Sequence, residues 1–146
     1  MPRLIDISRP LSASTAPWPG DTPFSFQLPV RRQDGAGINV GALNSSTHFG
    51  THLDAPFHFT DSEETIDRLD LTVCYGDALV VDVCGLTMIE PEHLPDALPA
   101  RVLLRTDAWL VSGIFPDLIP TLSIIAVQKL ATNNVTLLGV DVPSVD

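Results

Sequence analysis

Thirteen prolines are spread through the 146 residues of this chain, well above the average usage of about 5%, and they fall mostly between its apolar runs. Proline fixes φ and lacks an N–H, so it ends helices and interrupts central strands. The spacing therefore predicts many short elements joined by turns. A chain of this length fits a single domain spanning residues 1–146, able to bury about 68–70% of its unfolded surface. Its 45% hydrophobic content supports a packed core.

Within that frame, alternating and apolar runs predict strands at Phe24–Pro29, Gly37–Leu43, Ala78–Val83, Arg101–Arg105 and Thr136–Val140. Two helices are expected. A short one covers Glu90–Leu98, where Pro91 suits a first turn because no needed donor is lost. A better one runs from Ser123 to Asn133, with Ser123 as N-cap and Ile124, Val127, Leu130 and Ala131 on one face. Strands early and strand–helix–strand alternation later predict a mixed α/β domain.

Charge narrows the function. Eighteen acidic residues against eight basic ones give a net charge of -10, which repels phosphate backbones and anionic lipid. The expectation is a small-molecule substrate, with neither nucleic acid nor membrane as a partner. No run reaches the roughly 20 apolar residues of a membrane span, and the opening residues do not form a secretory leader. A cytosolic location is expected. Cys74 and Cys84 lie in or near apolar segments and read as buried free thiols, with no charged partner near Cys84 in sequence.

Three of the four histidines fall between His48 and His58, in His48-Phe49-Gly50-Thr51-His52-Leu53-Asp54-Ala55-Pro56-Phe57-His58. The alternative to a shared site is a set of unrelated surface or core imidazoles. Geometry limits how they converge. In a helix His48 and His52 share a face, but Asp54 lies about 200° on from His52. In a fully extended segment His48 and His52 stand about 13 Å apart at roughly 3.3 Å per residue. What remains is an extended segment bent between the histidines, and Gly50 is the residue suited to the bend. His52 and Asp54 then keep a common side.

Two imidazoles and a carboxylate leave an open coordination position, as a catalytic zinc requires. Such a cation lowers the pKa of bound water to about 7 and polarises a carbonyl. His58, offset from the others, then suits proton transfer, since imidazole chemistry runs in both directions near neutrality. The same donor set admits manganese and other divalent ions. The loop Pro17-Trp18-Pro19-Gly20-Asp21 places an aromatic between two prolines. By itself that pattern favours a cap over the core, with a pocket wall as the other reading.

The run His48-x-Gly50-Thr51-His52-x-Asp54-Ala55-Pro56-x-His58 resembles the signature of the metal-dependent cyclase family. So do Leu4-Ile5-Asp6-Ile7-Ser8, the loop from Trp18 to Phe24, Val102-Leu103-Leu104-Arg105-Thr106 and the stretch from Gly139 to Asp146, so that nearly the whole chain is covered. The Trp-Pro-Gly-Asp loop is most similar to the kynurenine formamidase branch, and in that light Trp18 becomes a substrate contact. The resemblance implies a swivelling β/β/α fold with a mixed sheet, a homodimer, and hydrolysis of N-formyl-L-kynurenine to L-kynurenine and formate in tryptophan degradation. It implies His48, His52 and Asp54 as metal ligands, with Asp54 also reaching a second ion, and His58 as proton donor and acceptor.

The family's pattern continues past Pro-Ser-Val-Asp with a segment that supplies a further histidine and a glutamate to a paired-metal site. Relative to that pattern the chain to Asp146 reads as C-terminally incomplete, with two zinc ions per subunit expected of the complete protein. Other substrates, such as isatin or another cyclic amide, and an inactive metal-binding subunit are the competing expectations.

Overall fold

A computed structural model describes residues 3–61 and 63–145. Its backbone packs into two compact units, one comprising Met1–Ile66 with Val111–Phe115 and the other Asp67–Leu110 with Pro116–Asp146. The architecture is mixed α/β, as expected, with one α-helix among the described residues.

The first unit carries an antiparallel pair, β1 (Ser25–Val30) and β2 (Val40–Asn44). Ser25 lies opposite Asn44 and Gln27 opposite Ala42, with an irregularity before Val30 meets Val40. Phe49, 5% exposed, is buried in this unit and stacks on Phe24 at 5.5 Å between ring centroids. This stack ties the chain entering β1 to the chain leaving β2.

The second unit is built on a parallel sheet in the order β3 (Leu79–Asp82), β5 (Arg101–Arg105), β7 (Leu137–Val140). Its apolar strands match the near-continuous runs of parallel sheets. Val102 and Leu104 of the central strand are fully buried beside Val81, Val83 and Ile89. Burying each such side chain contributes about 1.5–3 kcal/mol. A second parallel pair joins β4 (Met88–Ile89) to β6 (Thr121–Leu122). These two-residue strands are too short to leave a periodic signal. Parallel and antiparallel pairing thus both occur, in separate sheets.

Helix α1 (Ile124–Thr132) begins as expected: Ser123 Oγ accepts the Ala126 N–H at 3.2 Å. Its inward face differs from the expected one. Ala126 and Leu130 are buried, whereas Ile124 is 75% and Val127 50% exposed. A small residue facing the sheet permits close approach, which a count of large apolar residues overlooks. The expected helix at Glu90–Leu98 shrinks to one 3-10 turn, Pro91–His93. Pro95 explains this, because it offers no N–H and drives Leu94 to an extended ψ of 138°.

Beyond β7, Asp141 secures the end of the central strand. Its carboxylate accepts the N–H of Thr106 at 3.0 Å, the N–H of Asp107 at 2.9 Å and the buried Thr106 hydroxyl at 2.5 Å. Asp107 takes a left-handed φ of 54° and pairs through both carboxylate oxygens with Arg105. Both cysteines are exposed rather than buried. Cys84 sits beside Asp82, a charged neighbour only two residues before it, and beside Arg105 and Asp107, which the parallel pairing of β3 with β5 brings there.

Candidate metal centre

The site lies entirely within the first unit. After β2 the chain turns at Thr47–His48 and bends through Phe49–Thr51, with Gly50 at φ +69°. A side chain there would be strained by the backbone, and its Cβ would lie 2.7 Å from Leu11 Cδ2. The bend falls where convergence of the histidines requires it.

His48 Nδ1 lies 2.9 Å from Asp54 Oδ1, and His52 Nε2 lies 3.5 Å from the same oxygen. The other nitrogen of His52, Nδ1, is 3.0 Å from the Gly50 carbonyl oxygen. A carbonyl can only accept, so Nδ1 donates there and Nε2 is the nitrogen left facing Asp54. A histidine oriented by a backbone carbonyl at one nitrogen, with the other turned toward the site, is the usual arrangement of a metal ligand.

His58 ends a 3-10 turn, Pro56–His58, whose first position is filled by proline. The turn is closed by the His58 N–H to the Ala55 carbonyl at 2.9 Å. It swings the His58 ring to 4.0 Å from that of His48, and Phe59 meets the same ring edge-on at 4.4 Å. One ligand atom each from His48, Asp54 and His58 falls within 4.8 Å of the others. His58 thus groups with His48 and Asp54, whereas His52, the third expected ligand, faces Asp54 at 3.5 Å but lies outside that trio. Imidazole and carboxylate donors, half-exposed at 36% for His48 and 37% for Asp54, fit a divalent cation that must also meet a substrate.

Trp18 begins a turn closed by the Asp21 N–H to its own carbonyl at 3.0 Å, with Gly20 at φ +87°. The indole is 45% exposed and meets Phe115 edge-on at 5.2 Å. It is not a buried cap.

Ser46 and Asp21 had no place in the expected site. Ser46 Oγ accepts the His48 N–H at 3.1 Å. Its hydroxyl, followed by the Thr22 backbone N–H, holds the Asp21 carboxyl below its ordinary value, with a smaller contribution from His48. A serine two residues before a candidate ligand is a local signal for such a bond. The pairing with Asp21 depends on the fold.

The family model described as "Putative cyclase" matches residues 5–146. The chain is 43% identical to a kynurenine formamidase of Bacillus thuringiensis (strain Al Hakam) over 147 aligned positions, covering 97% of this chain and 69% of the relative. A kynurenine formamidase of Bacillus anthracis is 42% identical with the same coverage. A solved structure described as "Potential Metal-Dependent Hydrolase With Cyclase Activity" shares the fold at a TM-score of 0.76 and 17% identity, covering 97% of this chain and 69% of its own.

Proposed function

This chain belongs to the cyclase family, and on that premise we propose that it is a metal-dependent amidohydrolase cleaving N-formyl-L-kynurenine to L-kynurenine and formate. The observation that carries the chemistry is the convergence of His48, His52 and His58 around Asp54 on one bent segment. The substrate follows from 43% identity to kynurenine formamidases across 97% of the chain.

In this reading His48, His52 and Asp54 hold the cation, and His58 is the catalytic residue. A bound divalent cation supplies Lewis acidity toward the formyl oxygen and makes water a better nucleophile near neutral pH. The water oxygen bonds to the formyl carbon, the carbon–nitrogen bond breaks, and formate leaves. His58 takes the proton from the attacking water and delivers it to the departing arylamine nitrogen. The short turn after Pro56 supports that role by fixing the ring beside the ligands. Trp18 offers an exposed aromatic surface for the aryl ring of the substrate.

The reading extends to zinc as the metal, on the strength of the donor set, and to a cytosolic homodimer. Exposed Phe26 and Leu43 on the β1–β2 pair support self-association. The family match spans both compact units, which supports one cyclase-family domain.

Turnover of N-formyl-L-kynurenine and of isatin by zinc-loaded protein tests the assignment. Faster release of kynurenine than opening of isatin is the expected result. A faster reaction with isatin moves the substrate to the cyclic amides. Full zinc occupancy with no turnover of either makes the chain a metal-binding subunit.

A further inference from the structure

Ser46 makes two bonds in two directions. Its Oγ accepts the His48 N–H at 3.1 Å, and its own N–H reaches the Thr22 carbonyl at 3.4 Å. Thr22 in turn donates its N–H to Asp21 Oδ1 at 2.6 Å, and Asp21 closes the turn that begins at Trp18. One serine thus connects the backbone of the first candidate ligand with the loop bearing the aromatic. The Phe24–Phe49 stack fastens the same two segments beyond it, with Phe49 buried.

We propose that Ser46, with Asp21 behind it, is the positioning residue that sets the His48–Asp54 segment in register with the Trp18 turn. The physical requirement is plain. The bend at Gly50 is open to many backbone arrangements, and a glycine that permits the bend does not select its angle. A hydrogen bond to the N–H of His48 fixes the chain immediately before that freedom begins. Asp21 stands behind this bond through the backbone, since Thr22, whose carbonyl accepts the Ser46 N–H, donates its own N–H to Asp21 Oδ1 at 2.6 Å. The arrangement resembles the outer partners that orient ligating side chains, except that here the backbone of the ligand is held rather than its ring.

The inference rests on the metal-site reading but not on the substrate. Its test is zinc affinity, measured by competition with a chromophoric chelator, together with acrylamide quenching of Trp18 emission in a Trp109→Phe background. Ser46→Ala is expected to weaken zinc binding by about 10-fold, the lower end for outer partners, and to raise quenching of Trp18. Ser46→Thr keeps the hydroxyl and is expected to stay within about twofold on both readouts, and Asp21→Asn to fall between. Unchanged zinc affinity in a folded Ser46→Ala protein overturns the proposal, as does a Ser46→Thr protein as impaired as Ser46→Ala. Zinc binding that depends on Ser46 in a protein without formamidase turnover supports the positioning role while sinking the proposed function.

Discussion

His48 and Asp54 meet at 2.9 Å, Nδ1 to Oδ1, across a segment that bends at Gly50. Asp54 Oδ1 also lies 3.5 Å from His52 Nε2. One carboxylate oxygen therefore gathers both imidazoles. Asp54→Ala and His52→Ala should each lower zinc occupancy by at least about 10-fold, as losses at or around ligands do. Metal analysis after dialysis against buffered zinc checks this. Retention of full occupancy by His52→Ala removes it from the ligand set.

His58 lies close enough to the cluster to raise the question of whether it binds metal or moves protons. As a proton carrier, its removal in His58→Ala should cut kcat by roughly 10²–10⁴-fold with zinc retained. Loss of zinc in parallel with kcat reassigns it as a ligand. Steady-state kinetics and metal content from one preparation separate the two.

At the end of the central parallel strand, Arg105 pairs with Asp107 and holds its carboxyl below the ordinary value of 3.8. A depressed folded value means that the contribution to stability is present above the unfolded value and is lost as pH falls through the folded one. Asp107→Asn tolerates the same left-handed backbone and lacks that titration. Its urea midpoint should trail the wild type at pH 6, and the gap should close as pH drops below about 3.8. A gap constant with pH rules out the linkage.

Cys84 is exposed, yet its thiol is pushed up to about 12 from an ordinary 9.0, chiefly by hydrogen bonding with Asp82, then by desolvation and Asp107. Thiolate is the reactive form. In a Cys74→Ala background, iodoacetamide at pH 9 should modify Cys84 at least about tenfold more slowly than a free thiol peptide, and Asp82→Ala should accelerate it. Equal rates for peptide and protein defeat the prediction.

The core of the second unit is tested by Leu104, 2% exposed in the middle of the parallel sheet. Leu104→Ala should cost about 2–5 kcal/mol in chemical denaturation. A loss well under 1 kcal/mol shows that the site collapses around the cavity.

Much of this was legible in the amino-acid sequence because it is local. β5 keeps its expected bounds at Arg101–Arg105, and Ser123 caps α1 as its hydroxyl and position require. The bend at Gly50 follows from the reach of an extended chain. The spacing of His48, His52, Asp54 and His58 marked them as a candidate metal site, since few residue types ligate metals and they seldom cluster by chance. What the sequence left open depends on partners distant along the chain. Nothing near Cys84 announces Arg105 or Asp107, and nothing near Ser46 announces Thr22 or Asp21; strand pairing and loop packing bring them together. The inward face of α1 was settled by the close fit of Ala126, which no hydrophobicity pattern rewards. The sequence by itself determined which groups cap and bend and which are candidates to ligate. Only tertiary structure decided which of them meet, because hydrogen bonds and pairings at a few ångströms depend on chain closure that local preference does not encode.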